Sequence, residues 1–180
     1  MKPILLVVEN REKIFIEYAK WFMHAFALKE LGAIFFWGGK RKPIWYMRRE
    51  MIKKALSVKE CTHILFVDTD VIPSPGFVDK LLAHDCDMVS GVYFHDDGTP
   101  VSRKDGQPYD GKGLEEVDMC SMGASLIKRE VLEKVEYPEP DNVTIDADLE
   151  FCRKVKEAGF VVKQDFDIRL PHLLTVEVIY

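Results

Sequence analysis

Short apolar runs alternate with longer stretches of helical periodicity over the first half of the chain. Wholly or largely apolar runs predict buried strands over 4–8, 33–37, 63–67 and 87–94. Between them, apolar residues that recur on one helix face predict helices over 12–31, 48–58 and 77–83. This alternation is typical of a largely parallel sheet with right-handed crossovers and helices on both faces. Such sheets bind ligands at the carboxyl ends of their strands.

The second half of the chain is less regular. Residues 95–113 contain four glycines, two prolines and many charges, and this composition predicts a long loop. Long ordered loops are commonly lids or binding loops, and surface disorder is the alternative. Shorter elements are predicted beyond it, over 116–120, 124–127, 128–135, 146–158, 160–163 and 174–180. A length of 180 residues fits one domain.

Two aspartates, Asp68 and Asp70, follow the strand predicted at 63–67. Because side chains alternate along a strand, both carboxylates leave it on the same side. The pattern Asp-x-Asp occurs four times in the sequence, where composition predicts about one copy by chance, but only this copy follows a wholly apolar strand. Paired carboxylates at a strand end offer the oxygen ligands that Mg²⁺ or Mn²⁺ prefers. A solvated turn in which the aspartates act as caps is the alternative.

Composition and charge exclude several classes of protein. The net charge of −5 argues against a general nucleic-acid binder, whereas the basic groups at 40–42 and 48–49 suit a small anionic ligand. Four cysteines without a close pair predict neither a zinc knuckle nor a disulfide framework. The sequence predicts no signal peptide and no membrane span, so we expect a cytoplasmic protein. The aromatic helix at 12–31 is expected to pack in the core, with a homodimer face or contact with a membrane surface as alternatives.

The series of motifs resembles the GT-A-fold glycosyltransferases, in particular the large inverting family 2 group. The matching segments are THILFVDTDVIPSPGFVDKLL, DMVSGVYF, VDMCSMGASLIKREVLEKV, DADLEFCRKVKEAGFVV and PHL, which fall within residues 45–172. The resemblance implies an α/β, Rossmann-like GT-A fold, a three-layer sandwich whose central sheet is mostly parallel with a small antiparallel part. It implies one domain over 1–180, with a nucleotide-binding half at 1–94, the long loop at 95–113 and an acceptor and catalytic half at 114–180.

The resemblance also implies a reaction and a metal site. Such enzymes pass a sugar from a nucleoside diphosphate sugar to an acceptor hydroxyl, and the metal neutralises charge on the leaving group. Asp70 would contact the metal, Asp68 the ribose or the metal, and His172 would complete the metal site. Because imidazole suits Mn²⁺ better than Mg²⁺, we expect a preference for Mn²⁺.

Two further positions match nucleotide-binding residues of this family. Arg48 matches an arginine at the start of the helix before the metal strand, where it would face the nucleotide, although Arg49 replaces the asparagine that commonly follows. Glu9 lies just past the first strand, where such folds hold the nucleotide base.

Asp148 matches the acidic residue that supplies the general base in inverting members. Ala147 stands where the family usually has a glutamate, so the neighbouring Asp146 is an alternative base. A purely structural interpretation is also open, in which Asp146 caps a helix and Asp148 complements its dipole.

Two other functions remain open at this point. A nucleotidyltransferase of related architecture would need a glycine-rich basic loop after the first strand, which Glu9-Asn10-Arg11 does not supply. A non-catalytic sugar-nucleotide or glycan-binding module of the same fold is the second alternative. Neither the sugar, the nucleotide base nor the acceptor follows from the sequence, and the same fold hosts inverting and retaining enzymes.

Overall fold

The structure is a computed structural model that describes the backbone of residues 4–8 and the full residues 43–139 and 146–173. Within these residues the strands are β1 (Ile4–Val8), β2 (His63–Asp68), β3 (Met88–Val92), β4 (Arg103–Lys104), β5 (Gln107–Pro108), β6 (Leu114–Glu116), β7 (Ala124–Lys128) and β8 (Val162–Arg169). The helices are α1 (Ile44–Leu56), α2 (Phe77–Ala83), α3 (Arg129–Lys134) and α4 (Ala147–Glu157).

Six strands form one central sheet in the order β1-β2-β7-β3-β8-β6. The strands β1, β2, β3 and β8 run in one direction, and β7 and β6 run in the other. The antiparallel β7 lies between the parallel β2 and β3, so the sheet is mixed at its centre. The carboxyl ends of the four co-directional strands meet at one edge, where Val8 of β1 lies opposite Asp68 of β2.

The core confirms two of the apolar runs, at 63–67 and 87–94, as buried strands. Residues 64–67 of β2 are fully buried, and every residue of β3 is buried. α2 has the bounds that its periodicity predicts. α1 begins at Ile44 rather than at residue 48, because the apolar face continues through Met47 and Pro43 occupies the position before the first turn. Arg48 therefore lies in the second turn of α1 and not at its start.

Two strand predictions were also wrong in their bounds. β6 ends at Glu116, where a strand over 116–120 was expected to begin. β8 continues to Arg169, although residues beyond 163 were expected to leave the sheet. The missed signal in β8 is its period of two: Gln164, Phe166 and Ile168 are buried between more exposed polar neighbours. Charged residues obscured this alternation.

The segment 95–113 is ordered by its own hydrogen bonds and contains the hairpin β4–β5. Asp105 and Gly106 both have positive φ (52° and 72°), as a tight two-residue hairpin turn requires. Glu115 accepts hydrogen bonds from the Lys112 N–H, the Tyr109 hydroxyl and the Lys104 ammonium, which lower the pKa of Glu115 to about 2. The interpretation of this segment as surface disorder is therefore wrong.

Several predictions lie outside the described residues. These are the helix over 12–31, the strand over 33–37, the basic residues 40–42, the strand over 174–180 and the nucleotide contact of Glu9. Among the helices that the structure describes, none combines the length and the apolar character needed to cross a bilayer.

Candidate functional site

Two segments far apart in sequence meet at the carboxyl edge of the sheet. Asp70 follows the end of β2, and His172 follows the end of β8. Backbone hydrogen bonds join the segments: the Ile72 N–H donates to the Pro171 carbonyl (3.0 Å), and the Leu173 N–H donates to the Asp70 carbonyl (2.7 Å). The backbone thus fixes Asp70 and His172 beside each other.

The side chains of Asp70 and His172 face each other across a short gap. His172 Nε2 lies 3.5 Å from Asp70 Oδ2, and His172 Nδ1 lies 2.9 Å from the Phe94 carbonyl oxygen. A carbonyl oxygen only accepts, so Nδ1 must carry the hydrogen, and Nε2 of the neutral ring is then an acceptor. Two acceptors that face each other offer their lone pairs to a bound cation.

The donors of this pair fit a divalent ion that keeps open coordination positions. Mg²⁺ and chemically similar ions are commonly held by one or two protein side chains together with substrate phosphates. The contact with the Phe94 carbonyl is the kind of outer hydrogen bond that orients metal-binding histidines. Across residues 43–139 and 146–173, however, no group of three His, Cys, Asp or Glu side chains is arranged to hold an ion alone. Substrate or water oxygens would have to complete the coordination.

The carboxylate of Asp68 lies against the guanidinium of Arg48. Arg48 Nη2 lies 3.4 Å from Asp68 Oδ2 and 3.5 Å from Oδ1, while Arg48 Nη1 donates to Asp148 Oδ1. The Arg48 side chain is only 1% exposed, so its guanidinium is enclosed by protein. A nucleotide contact of the kind expected for Arg48 would require it to leave these carboxylates.

Tyr137 completes the surroundings of Asp148, and sequence reasoning missed it. The Tyr137 hydroxyl accepts a hydrogen bond from Arg48 Nη1 (2.9 Å) and donates one to Asp148 Oδ1. Burial raises the pKa of Tyr137 well above its usual value, so the phenol keeps the proton that it donates. Its ring stacks on Phe151, with the ring centroids 4.8 Å apart. The surrounding YPEPDN sequence indicates only a turn, and no local pattern marks this tyrosine.

Asp146 serves as the N-cap of α4, as its structural interpretation predicts. Its Oδ1 accepts a hydrogen bond from the Asp148 N–H (3.0 Å). Asp148 lies in the first turn of the same helix. The two aspartates therefore differ in their contacts, since Asp146 holds the helix start and Asp148 holds Arg48 and Tyr137.

The site carries more negative than positive charge. Burial raises the pKa of Asp68 to about 6; Arg48 opposes this increase, and the charges of Asp70 and Asp148 add to it. Asp68 and Asp148 thus share one buried arginine, and the charge of Asp70 acts on Asp68 as well. A bound cation would relieve their mutual repulsion.

Gly123 allows Asp68 and Tyr93 to approach the backbone at the start of β7. The Gly123 carbonyl accepts the Asp68 N–H (2.9 Å), and the Gly123 N–H donates to the Tyr93 hydroxyl (3.2 Å). A Cβ atom at residue 123 would lie 2.5 Å from Asp68 Oδ2 and 2.7 Å from Tyr93 Oη. The Tyr93 ring in turn lies 5.1 Å from the His172 ring. Gly123 and Tyr93 thus support both parts of the site, and sequence reasoning missed both.

We expect Gly123→Ala to displace Asp68 and to destabilise the protein by about 1–3 kcal/mol, because the added methyl group overpacks a closed contact. Chemical denaturation measures the loss, and a Mn²⁺ titration measures the effect on the site. Gly159→Ala is the matched control, since Gly159 lies in open space with φ +87°. That variant should lose about 1 kcal/mol through backbone strain and keep its response to Mn²⁺. An unchanged stability and Mn²⁺ response in Gly123→Ala would contradict the argument.

Comparison with known proteins identifies the fold. No protein-family profile matches the chain, and no curated protein sequence matches it. Among solved structures, A197 from STIV has a TM-score of 0.70 and 17% identity, covering 100% of this chain and 98% of that chain. GalNAc-T7, solved with UDP, GalNAc and Mn²⁺, has a TM-score of 0.65 and 12% identity, covering 98% of this chain and 44% of that chain.

A third structure is the catalytic domain of Drosophila beta1,4galactosyltransferase 7 in complex with xylobiose. It has a TM-score of 0.62 and 15% identity, covering 97% of this chain and 72% of that chain. At these identities the similarity shows the fold alone. The chain has the α/β GT-A fold of glycosyltransferases, which confirms the expected fold class, whereas membership in family 2 stays a prediction.

Proposed function

We propose that this protein is a metal-dependent glycosyltransferase that moves a sugar from a nucleoside diphosphate sugar to an acceptor hydroxyl with inversion. The observation that carries the proposal is the pairing of Asp70 Oδ2 with His172 Nε2 at 3.5 Å, at the carboxyl edge of a GT-A-type sheet. The UDP, GalNAc and Mn²⁺ present in the GalNAc-T7 structure support a nucleotide-sugar donor and a divalent ion for this fold.

In this proposal Asp70 and His172 hold Mn²⁺, or Mg²⁺ with lower preference, and Asp68 contacts the ribose or the ion. The bound ion supplies Lewis-acid stabilisation of the diphosphate leaving group.

The first turn of α1 contains no acidic residue, so the positive end of this helix is not neutralised by its own side chains. Arg48 in the second turn contacts Asp68, which places the start of α1 near the site. This helix end therefore favours a bound anion.

Asp148 is the proposed general base. It accepts the proton of the acceptor hydroxyl while the acceptor oxygen forms a bond to the anomeric carbon. The bond between that carbon and the diphosphate oxygen breaks, and the nucleoside diphosphate leaves with the electron pair. A single displacement of this kind inverts the anomeric centre, and a positioned base contributes roughly 10²–10⁴-fold to its rate.

A non-catalytic sugar-nucleotide-binding module is the second candidate, and one observation favours it. Arg48 and Tyr137 both donate to Asp148 Oδ1, which occupies an oxygen that a base could otherwise use. Such a module would bind the donor without turning it over.

Thermal denaturation with a panel of UDP-sugars and GDP-sugars, with and without Mn²⁺, tests the proposal. A donor at 100 times its Kd stabilises the native state by about 2.7 kcal/mol, and we expect this increase only with the metal present. Release of UDP or GDP from the stabilising donor then separates catalysis from binding. The absence of a shift with every donor in the presence of Mn²⁺ would contradict the proposal, and a shift without release would support the binding module.

A further inference from the structure

We infer that Arg48 and Tyr137 form a clamp that positions Asp148 for proton transfer, and that Arg48 acts on this carboxylate and not on the nucleotide. The inference rests on the function proposed above. It assigns to Tyr137 a role that the sequence did not indicate, and it gives Arg48 a different role from the expected one.

The clamp residues Arg48 and Tyr137 meet Asp148 through three polar atoms, one from each residue, that contact one another. Arg48 Nη1 donates to both Tyr137 Oη and Asp148 Oδ1, and Tyr137 Oη donates to the same Oδ1. Arg48 and Tyr137 are each 1% exposed, whereas the side chain of Asp148 is 21% exposed. Two buried donors occupy Oδ1, whereas neither of them bonds to Oδ2. Oδ2 is therefore the oxygen that meets the acceptor.

Both members of the clamp are held by further contacts. Arg48 Nη2 contacts Asp68 at the end of β2, so the guanidinium spans two carboxylates from different elements. The Tyr137 ring stacks on Phe151, which follows Asp148 by three residues in α4. This stacking holds Tyr137 against α4, the helix that carries Asp148. These contacts restrict the carboxylate to one orientation before substrate arrives.

Preorganisation of this kind affects the rate more than the affinity. A catalytic group that is already oriented avoids reorganisation in the transition state, and a displacement of about 1 Å can reduce the rate roughly 10²-fold. Donor binding in the proposed function depends on Asp68, Asp70 and His172, whereas the Tyr137 hydroxyl bonds to Arg48 and Asp148. Loss of the Tyr137 hydroxyl should therefore lower kcat and leave the affinity for nucleotide and metal unchanged.

Two variants test the clamp. Tyr137→Phe removes the hydroxyl and keeps the ring on Phe151, and Arg48→Lys keeps one positive charge that cannot span both carboxylates. For each, we expect kcat of sugar-nucleotide turnover to fall by about 10–100-fold. For Tyr137→Phe, the donor KM and the Kd of UDP measured by calorimetry with Mn²⁺ should change by less than about two-fold.

Arg129→Lys is the matched control. Arg129 pairs with Glu133 and donates to the Val58 and Leu56 carbonyls, away from the carboxyl edge of the sheet. This variant should lose stability and keep kcat. If Arg48→Lys fails to fold, Tyr137→Phe carries the test, because its packing is retained.

The outcomes separate the clamp from the proposed function. Unchanged kcat in Tyr137→Phe contradicts the clamp alone, provided that the unaltered protein is active. An increase of ten-fold or more in the Kd of UDP for Arg48→Lys, with kcat retained, assigns Arg48 to the nucleotide and overturns the inference. If the unaltered protein turns over no sugar nucleotide, the proposed function fails and the clamp fails with it.

Discussion

We expect Asp70→Asn to abolish the Mn²⁺-dependent binding of UDP and to reduce turnover of a sugar nucleotide by at least about 100-fold. Asp70 Oδ2 and His172 Nε2 lie 3.5 Å apart, and these two side chains are the proposed metal ligands. Asparagine replaces the charged carboxylate with a neutral, weaker oxygen ligand, and even changes outside the ligand set commonly weaken metal binding by 10–100-fold. Calorimetry with Mn²⁺ and UDP measures the affinity, and UDP release measures turnover.

The same variant should be at least as stable as the unaltered protein when the metal is absent. The charge of Asp70 raises the pKa of Asp68, which shows that the two carboxylates repel each other. Loss of the Asp70 charge relieves this repulsion, as is common where a functional site costs stability. Asp85→Asn is the matched control: it belongs to another Asp-x-Asp copy and pairs with Lys128 on a different part of the surface. A variant Asp70→Asn that binds UDP and Mn²⁺ normally would contradict the metal site.

The central strands could be predicted because their burial is a property of single segments. The residues 64–67 are apolar throughout, and a segment of this kind is stable only when both of its faces are covered. Helix α2 was equally clear, since its apolar face and its length are local features. The position of Asp68 and Asp70 at the sheet edge follows directly from the end of such a strand.

The contacts between distant segments could not be predicted in this way. β7 separates β2 from β3 and runs antiparallel to both, which no local pattern in residues 124–128 indicates. The pairing of Arg48 with Asp148 joins positions 100 residues apart, and each looks like an ordinary charged residue on an amphipathic helix. The burial of Arg48 was missed for the same reason, and its contact with the nucleotide stays a prediction.

The consequence of this pairing is clearest for Asp148. Arg48 and Tyr137 both hold Oδ1, so an asparagine at this position can keep its oxygen on the same two donors. We expect Asp148→Asn to fold, with a loss of about 1–3 kcal/mol because a neutral oxygen replaces the charged partner of Arg48. An amide cannot accept the proton of the acceptor hydroxyl. We therefore expect kcat to fall by roughly 10²–10⁴-fold, with the Kd of UDP in the presence of Mn²⁺ unchanged.

Glu133→Gln provides the matched control, since Glu133 is likewise the carboxylate partner of an arginine. Its removal weakens an exposed ion pair on α3 and should leave kcat unchanged. Denaturation, calorimetry and UDP release on the two variants distinguish the base from a purely structural carboxylate. If Asp148→Asn loses stability and retains full turnover, Asp148 serves only to neutralise Arg48, and the acceptor proton must leave by another group. A loss of turnover with intact binding instead supports proton transfer to Asp148 Oδ2, the oxygen that Arg48 and Tyr137 do not hold.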